Sequence, residues 1–354
     1  MMKRFTIDGD AALERRLEEL CERVRLGVVE IVPAAKLEGL VLAGGYGRGE
    51  GGVLCEEGAH LPYNDMEFFV FIRGSTLLND RRHKAALHEL GERLSHEAGV
   101  EVEFKVLSLA KLRHSETSMF YYDLVMGHRW VIGDDSLLAG CGHHRDAARI
   151  PLHEATRLLF NRCSGLLFAK ERLARAEFTA EDADFTGRNI AKAQLALGDA
   201  LLAAQGLYHW SCRERRQRLA ALHDVDAELL AHHAAGVDFK LRPSRSTLSR
   251  EELLDLHDKV ARLAERVFMG IESRRLGCEF ASPWAYSSSG VNKCPERSVW
   301  RNFLIHLRVR GIPQRRTRYP REHLLNELAQ ILWGGRSATP EAVREYSALW
   351  SVFN

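Results

Sequence analysis

A chain of 354 residues with 50 Lys+Arg against 48 Asp+Glu carries a formal net charge of +2, which excludes a globally basic nucleic-acid wrapper and an acidic tail protein. With 45% hydrophobic and 28% charged residues it is neither disordered nor collagen-like, and its length suits two domains of about 150 residues. No apolar run approaches the roughly 20 residues that cross a bilayer, and Met1-Met2-Lys3-Arg4 leads into polar, helix-like sequence, so a cytoplasmic protein is expected.

Apolar residues Leu13, Leu17, Leu20, Val24 and Val28 recur at helical spacing and predict a helix over about 11–31. Leu40-Val41-Leu42 predicts a short strand running into a glycine cluster. Phe68 to Ile72 predicts a continuous apolar strand closed by Arg73-Gly74-Ser75. A helix follows from about Leu77 to Glu97, ended by Ala98-Gly99. Val100-Glu101-Val102-Glu103-Phe104-Lys105-Val106 then alternates strictly between apolar and charged residues, the pattern of a strand with one face on a core and the other toward water or a site. From Pro151 onward strand signals nearly vanish. Helices are predicted over 153–173, 186–205, 213–222, 249–275, 300–309, 322–333 and 340–352, with a flexible glycine- and serine-rich loop at Ser282–Gly290. The expected fold class is α+β: a small domain over 1–148 with a mixed sheet flanked by helices, then an all-helical domain over 149–354 that subdivides near 280–290.

The seven cysteines (Cys21, Cys55, Cys141, Cys163, Cys212, Cys278, Cys294) are scattered, odd in number and without a C-x-x-C pair, which argues against a disulfide framework or a zinc site. His143-His144 and His232-His233 lack the i, i+4 spacing that sets two metal ligands on one helix face.

The chemistry concentrates in Gly44-Gly45-Tyr46-Gly47-Arg48-Gly49-Glu50 and Asn64-Asp65-Met66-Glu67. A glycine pair directly after a strand lets backbone N–H groups approach phosphate oxygens with no Cβ in the way. Arg48 adds a charged donor fork. Asp65 and Glu67 stand two apart at the head of a strand, so both side chains point to one side of the sheet. Carboxylates held that way can share Mg²⁺ or Mn²⁺, which also binds nucleotide phosphates. Glu101 and Glu103, on the polar face of the alternating strand, are candidates for a third acid. A glycine turn or a D-x-E pair alone is commonplace; their order, strand–GG–loop–DxE–strand–helix–alternating strand, points to chemistry. G-x-G-x-x-G would need a glycine where Glu50 stands, no helix is expected to open after the loop, and a Walker A Gly-Lys-Ser/Thr is absent.

At these residues the chain resembles the DNA polymerase beta-like nucleotidyltransferase superfamily, whose pattern is a strand, a Gly-Gly or Gly-Ser turn, D-x-D/E on the next strand and a later third acid. More narrowly, Gly44–Glu50 with Pro62-Tyr63-Asn64-Asp65 is similar to the G-G-Y-G-R-G-E…P-x-S-D signature of bacterial nitrogen-regulator (PII) uridylyltransferases, and the likeness extends over about 38–140. The resemblance implies an enzyme that moves a nucleoside monophosphate from an NTP to an acceptor hydroxyl on a protein, a small molecule or an RNA end, releasing pyrophosphate. It implies Mg²⁺ (or Mn²⁺) on Asp65, Glu67 and Glu103, with Glu101 as the competing third ligand, and an NTP against Gly44, Gly45, Tyr46, Arg48 and Asn64. The chain departs from the pattern in three places: Gly51–Leu61 lengthen the loop, Asn64 replaces a serine, and Glu67 replaces the second aspartate. These departures keep open a non-catalytic nucleotide- or protein-binding module. The extra His and Asp ligands of the uridylyltransferases' phosphohydrolase domain are missing, so His223-Asp224 and His257-Asp258 read as helix-surface pairs.

Within the helical part, eight arginines (297, 301, 308, 310, 315, 316, 318, 321) crowd between Glu296 and Glu322. They read either as a phosphate or acidic-partner surface or as a solvated face pairing with neighbouring acids. Arg301-Asn302-x-x-x-His306 resembles the R-N-x-x-x-H pattern of HEPN-type ribonucleases. Arg301, His306, Arg315, Arg316 and Arg318 are therefore the candidate substrate or phosphate residues there, expected to face the same cleft as Asp65 and Glu67. Asp199, in an otherwise apolar helical stripe, is a further candidate for that cleft.

Overall fold

The computed structural model describes residues 4–309 and 315–353, without the side chain of Arg308. It is a mixed α/β chain, mostly helical, with a small mixed sheet near the N-terminus.

The first helix, α1 (Ala11–Ile31), starts where the Asp10 carboxylate accepts from the Leu13 N–H at 2.7 Å, and it buries Leu13, Leu17, Leu20, Val24 and Val28. Then come β1 (Leu37–Leu42), α2 (Gly44–Arg48), β2 (Val53–Glu56), β3 (Ala59–Pro62), β4 (Met66–Ile72), α3 (Thr76–Ala98), β5 (Val102–Leu107), α4 (Leu109–His114), α5 (Met119–Met126) and β6 (Arg129–Ile132). Four strands form one sheet in the order β5-β4-β1-β6; β4 and β5 run parallel through the α3 crossover, and the other pairings are antiparallel. One face, with Leu40, Leu42, Met66, Phe68, Val70 and Val102, packs on α1 and α3. The opposite face, with Val41, Phe69 and Phe71, packs on Leu109, Leu112, Leu124 and Val125. Each fully buried aliphatic or aromatic side chain contributes about 1.5–3 kcal/mol, so β1 and β4, apolar on both faces, anchor the sheet.

Two expectations change here. A five-residue helix does open after β1; its sequence is mostly glycine, so no apolar periodicity announces it. The lengthened loop is a hairpin, β2 paired with β3 from Val53 opposite Pro62 to Glu56 opposite Ala59.

The remaining helices are α6 (Leu152–Leu173), α7 (Ala180–Ala204), α8 (Cys212–Ala220), α9 (Ala227–Leu241), α10 (Arg250–Leu276), α11 (Pro283–Ser288), α12 (Val299–Arg308), α13 (Arg321–Leu328, prolonged by a π turn to Trp333) and α14 (Pro340–Phe353). Where a flexible loop was expected, Ser282 caps α11 and Pro283 opens it, the favoured N-terminal pairing. His257 is buried, with Nε2 3.0 Å from the Leu166 carbonyl, and His223-Asp224 lies in a turn after α8; neither is a helix-surface pair.

The chain divides into two compact units. The first comprises the described residues up to Glu154 with Gln205–Val225 and Val237–Ser244; the second comprises Ala155–Ala204, Asp226–Gly236 and the described residues from Arg245 onward. Among the described residues the second unit contains no strand, and no helix of either unit is long and apolar enough to cross a membrane.

Candidate functional site

Glycine 44 begins the site. Its φ of +63° is a backbone conformation that side chains rarely adopt, and a Cβ there would stand 3.2 Å from Glu67 Oε2. The turn is tied to β4 through the Ala43 N–H, which donates to the Glu67 carbonyl at 2.9 Å. The bare backbone of Gly44 thus lies beside the second carboxylate of Asp65-x-Glu67, whereas Gly45 is buried and a Cβ there would meet the Glu50 carbonyl oxygen at 3.0 Å.

Parallel pairing brings the other acids. Glu67 is directly opposite Glu103 and Met66 opposite Val102, and the Met66 N–H donates to the Glu101 carbonyl at 2.8 Å. Asp65 and Glu101 therefore meet one step before the strands begin, Glu67 and Glu103 one step after. Asp65 and Glu101 are exposed, Glu67 and Glu103 half-buried. Lys105, two residues beyond Glu103 on the same face, sets its ammonium 2.8 Å from Glu67 Oε1 and 3.0 Å from Glu103 Oε2. Partial desolvation, followed by the negative charges of Glu103 and Asp65, raises the Glu101 carboxyl above its usual range. For Lys105 the burial that would lower its value is outweighed by Glu67 and Glu103, and it is held above the ordinary lysine range. An open groove of about 1120 Å³ runs along β5 and α3, lined by Lys84, His88, Glu101, Glu103 and Lys105.

The remaining residues of the glycine motif are engaged within the first unit. Tyr46 is fully buried; its hydroxyl donates to the Gly52 carbonyl and accepts from the Tyr63 N–H, each at 2.9 Å. Asn64 Oδ1 accepts from the Gly52 N–H at 3.0 Å. The Arg48 guanidinium, expected as an open fork for phosphate, pairs with Asp123 at 2.8 Å; burial acts to lower its value, but Asp123 holds it above the ordinary one. The Tyr208 hydroxyl donates to Asp123 at 3.2 Å and accepts from Arg215 at 3.2 Å. Glu50 is buried and accepts from the Ser211 hydroxyl and, at 2.9 Å, from the Cys212 N–H. Sequence reasoning did not single out Lys105, Tyr208 or Arg215 for the site. For Lys105 the signal was present, since strict alternation puts it on the face of Glu103. Tyr208 and Arg215 carry no local signal.

Among the described residues, no three His, Cys, Asp or Glu side chains are gathered closely enough to hold a metal ion; between Glu67 and Glu103 the Lys105 ammonium sits instead. The donor set, carboxylate oxygens only, is that of Mg²⁺ or Mn²⁺, and two of its members already share one cation.

In the second unit, Arg301, Arg315 and Arg316 are exposed. Arg318 pairs with Glu322 at 3.3 Å and donates to the Gly290 carbonyl at 2.8 Å. Arg321 is buried and donates to the Phe353 carbonyl, and Arg297 lies over the Tyr319 ring. The Arg308 side chain and Arg310 lie outside the described residues. Of the R-N-x-x-x-H residues, Asn302 donates to the Thr317 carbonyl at 3.0 Å, and His306 Nε2 donates to the Arg318 carbonyl at 3.0 Å. Both hold backbone, which leaves Arg301 as the exposed member. Asp199 is buried, 3.1 Å from His233 Nε2.

The chain matches no protein-family model, and a search of curated proteins finds no match.

Proposed function

We propose that the chain is a metal-dependent nucleotidyltransferase that moves a nucleoside monophosphate from an NTP to an acceptor hydroxyl and releases pyrophosphate. The observation that carries the reading is the placement of Glu67 opposite Glu103, with Asp65 next to them and the Gly44 backbone against Glu67. Asp65, Glu67 and Glu103 would hold Mg²⁺ or Mn²⁺, which when bound lowers the pKa of the acceptor hydroxyl and neutralises charge on the triphosphate. Gly44 keeps a side-chain-free approach for phosphate oxygens beside these acids, and Gly45 lets the Glu50-Gly51 backbone pack close under the turn. Tyr46, Asn64 and Arg48 support the turn from behind: each is tied to backbone or to Asp123 and so holds the glycines in place.

The test is a screen of the four labelled NTPs with Mg²⁺ or Mn²⁺ against a cell lysate. One NTP is expected to label one acceptor class with pyrophosphate release, and Asp65→Ala to lower the rate by about 100-fold or more. Undiminished release in that variant overturns the assignment. The Lys105 ammonium between Glu67 and Glu103 favours a second reading, a nucleotide-binding module without turnover. Calorimetry separates the two, because the module binds NTP with an affinity indifferent to Mg²⁺.

A further inference from the structure

We propose that Lys105 is a resident counter-cation of the site, one that keeps Glu67 and Glu103 together without metal and is displaced when a divalent ion binds. The inference rests on the reading of these carboxylates as metal-holding. Neighbouring strands lie about 4.8 Å apart, so parallel pairing of Glu67 with Glu103 forces two like charges into proximity, an arrangement that costs free energy unless a cation stands between them. Strict alternation along β5 puts Lys105 on the face of Glu103, and register puts it opposite Phe69, two steps along from Glu67. From there its ammonium reaches one oxygen of each carboxylate, at 2.8 and 3.0 Å, above the Phe69 ring at 5.8 Å to the centroid.

A divalent ion held by Glu67 and Glu103 would compete with the ammonium for these two carboxylates. The lysine is free to leave. Its side chain is 46% exposed, and its four-carbon stem swings without moving the strand. Metal affinity at this site is therefore set in competition with an internal ion pair rather than by the carboxylates alone.

The experiment measures Mn²⁺ binding to the full chain without nucleotide, by the electron paramagnetic resonance signal of free Mn²⁺, for the native protein, Lys105→Gln, Lys105→Arg and Asp65→Ala. Lys105→Gln is expected to bind Mn²⁺ five- to tenfold more tightly than the native protein, about the worth of two exposed ion pairs. Lys105→Arg, which keeps a cation in reach of both acids, should stay near the native value. If the native protein binds Mn²⁺, Asp65→Ala does not, and Lys105→Gln binds no more tightly than native, the metal site stands and the role of Lys105 is overturned. If neither the native protein nor Lys105→Gln binds Mn²⁺, both the counter-cation and the metal reading fall.

Discussion

Glu50 shows what a single buried carboxylate does for the glycine turn. Burial alone would raise its pKa, but hydrogen bonds from Ser211 and Cys212, with the nearby Arg48 charge, bring it below the ordinary glutamate value. A carboxylate depressed in the folded state adds stability that is present above its unfolded pKa, about 4.3, and is lost as pH falls through the folded value. Glu50→Gln should therefore lose stability at pH 7, and its difference from the native protein should shrink below about pH 4 in urea melts. A difference constant from pH 7 to pH 3.5 would show that the charge plays no part. Glu50→Ala also leaves the Cys212 N–H and the Ser211 hydroxyl without their acceptor, and is expected to cost about 1–3 kcal/mol at neutral pH.

At the scale of elements, the edge that carries Glu101, Glu103 and Lys105 is held by α3. Gly91 lets that helix lie close to β5: a Cβ there would come 2.5 Å from the Val102 carbonyl oxygen, which is backbone and cannot yield. Gly91→Ala should push α3 away from the strand and destabilise the protein by about 1–3 kcal/mol in denaturant melts. Because Val102 pairs with Met66, the shift should also disturb the register that sets Glu103 against Glu67. A melt unchanged from native would mean that the helix slides without resistance. The hairpin β2–β3 has a different part. It is flanked by Gly52, which bonds both Tyr46 and Asn64, and by Tyr63, which bonds Tyr46, so the lengthened loop braces the glycine turn.

At the scale of the molecule, the first unit is discontinuous in sequence. Both hydrophobic clusters of its sheet lie within residues 5–141, yet Tyr208, Ser211, Cys212 and Arg215 arrive from a segment beyond α7. A fragment ending at residue 148, the boundary expected from sequence, keeps the residues of the sheet but loses both hydrogen-bond donors to the Glu50 carboxylate and two members of the Asp123 network. Amide hydrogen exchange should then remain slow in β1 and β4 but rise sharply over residues 45–52 relative to the full chain. Equal protection in fragment and full chain would show that the returning segment does not stabilise the turn.

The sequence by itself determined α1, with its stripe from Leu13 to Val28, the strands around Leu40–Leu42 and Phe68–Ile72, the helix between β4 and β5, and the common face of Glu101, Glu103 and Lys105. All of these follow from local patterning (helical spacing, short apolar runs closed by glycine, or strict alternation), which a dozen neighbouring residues establish among themselves. Tertiary structure decided the rest. The short, half-buried β6 is a strand because β1 pairs with it, with Leu40 opposite Ile132. Arg48 faces Asp123, and Glu103 rather than Glu101 stands opposite Glu67, through contacts 75 and 36 residues apart in the chain, and Tyr46 is buried with its hydroxyl tied to Gly52 and Tyr63. Which charge meets which is fixed by strand register and by the path of the returning segment, and neither leaves a mark on the residues next to it in sequence.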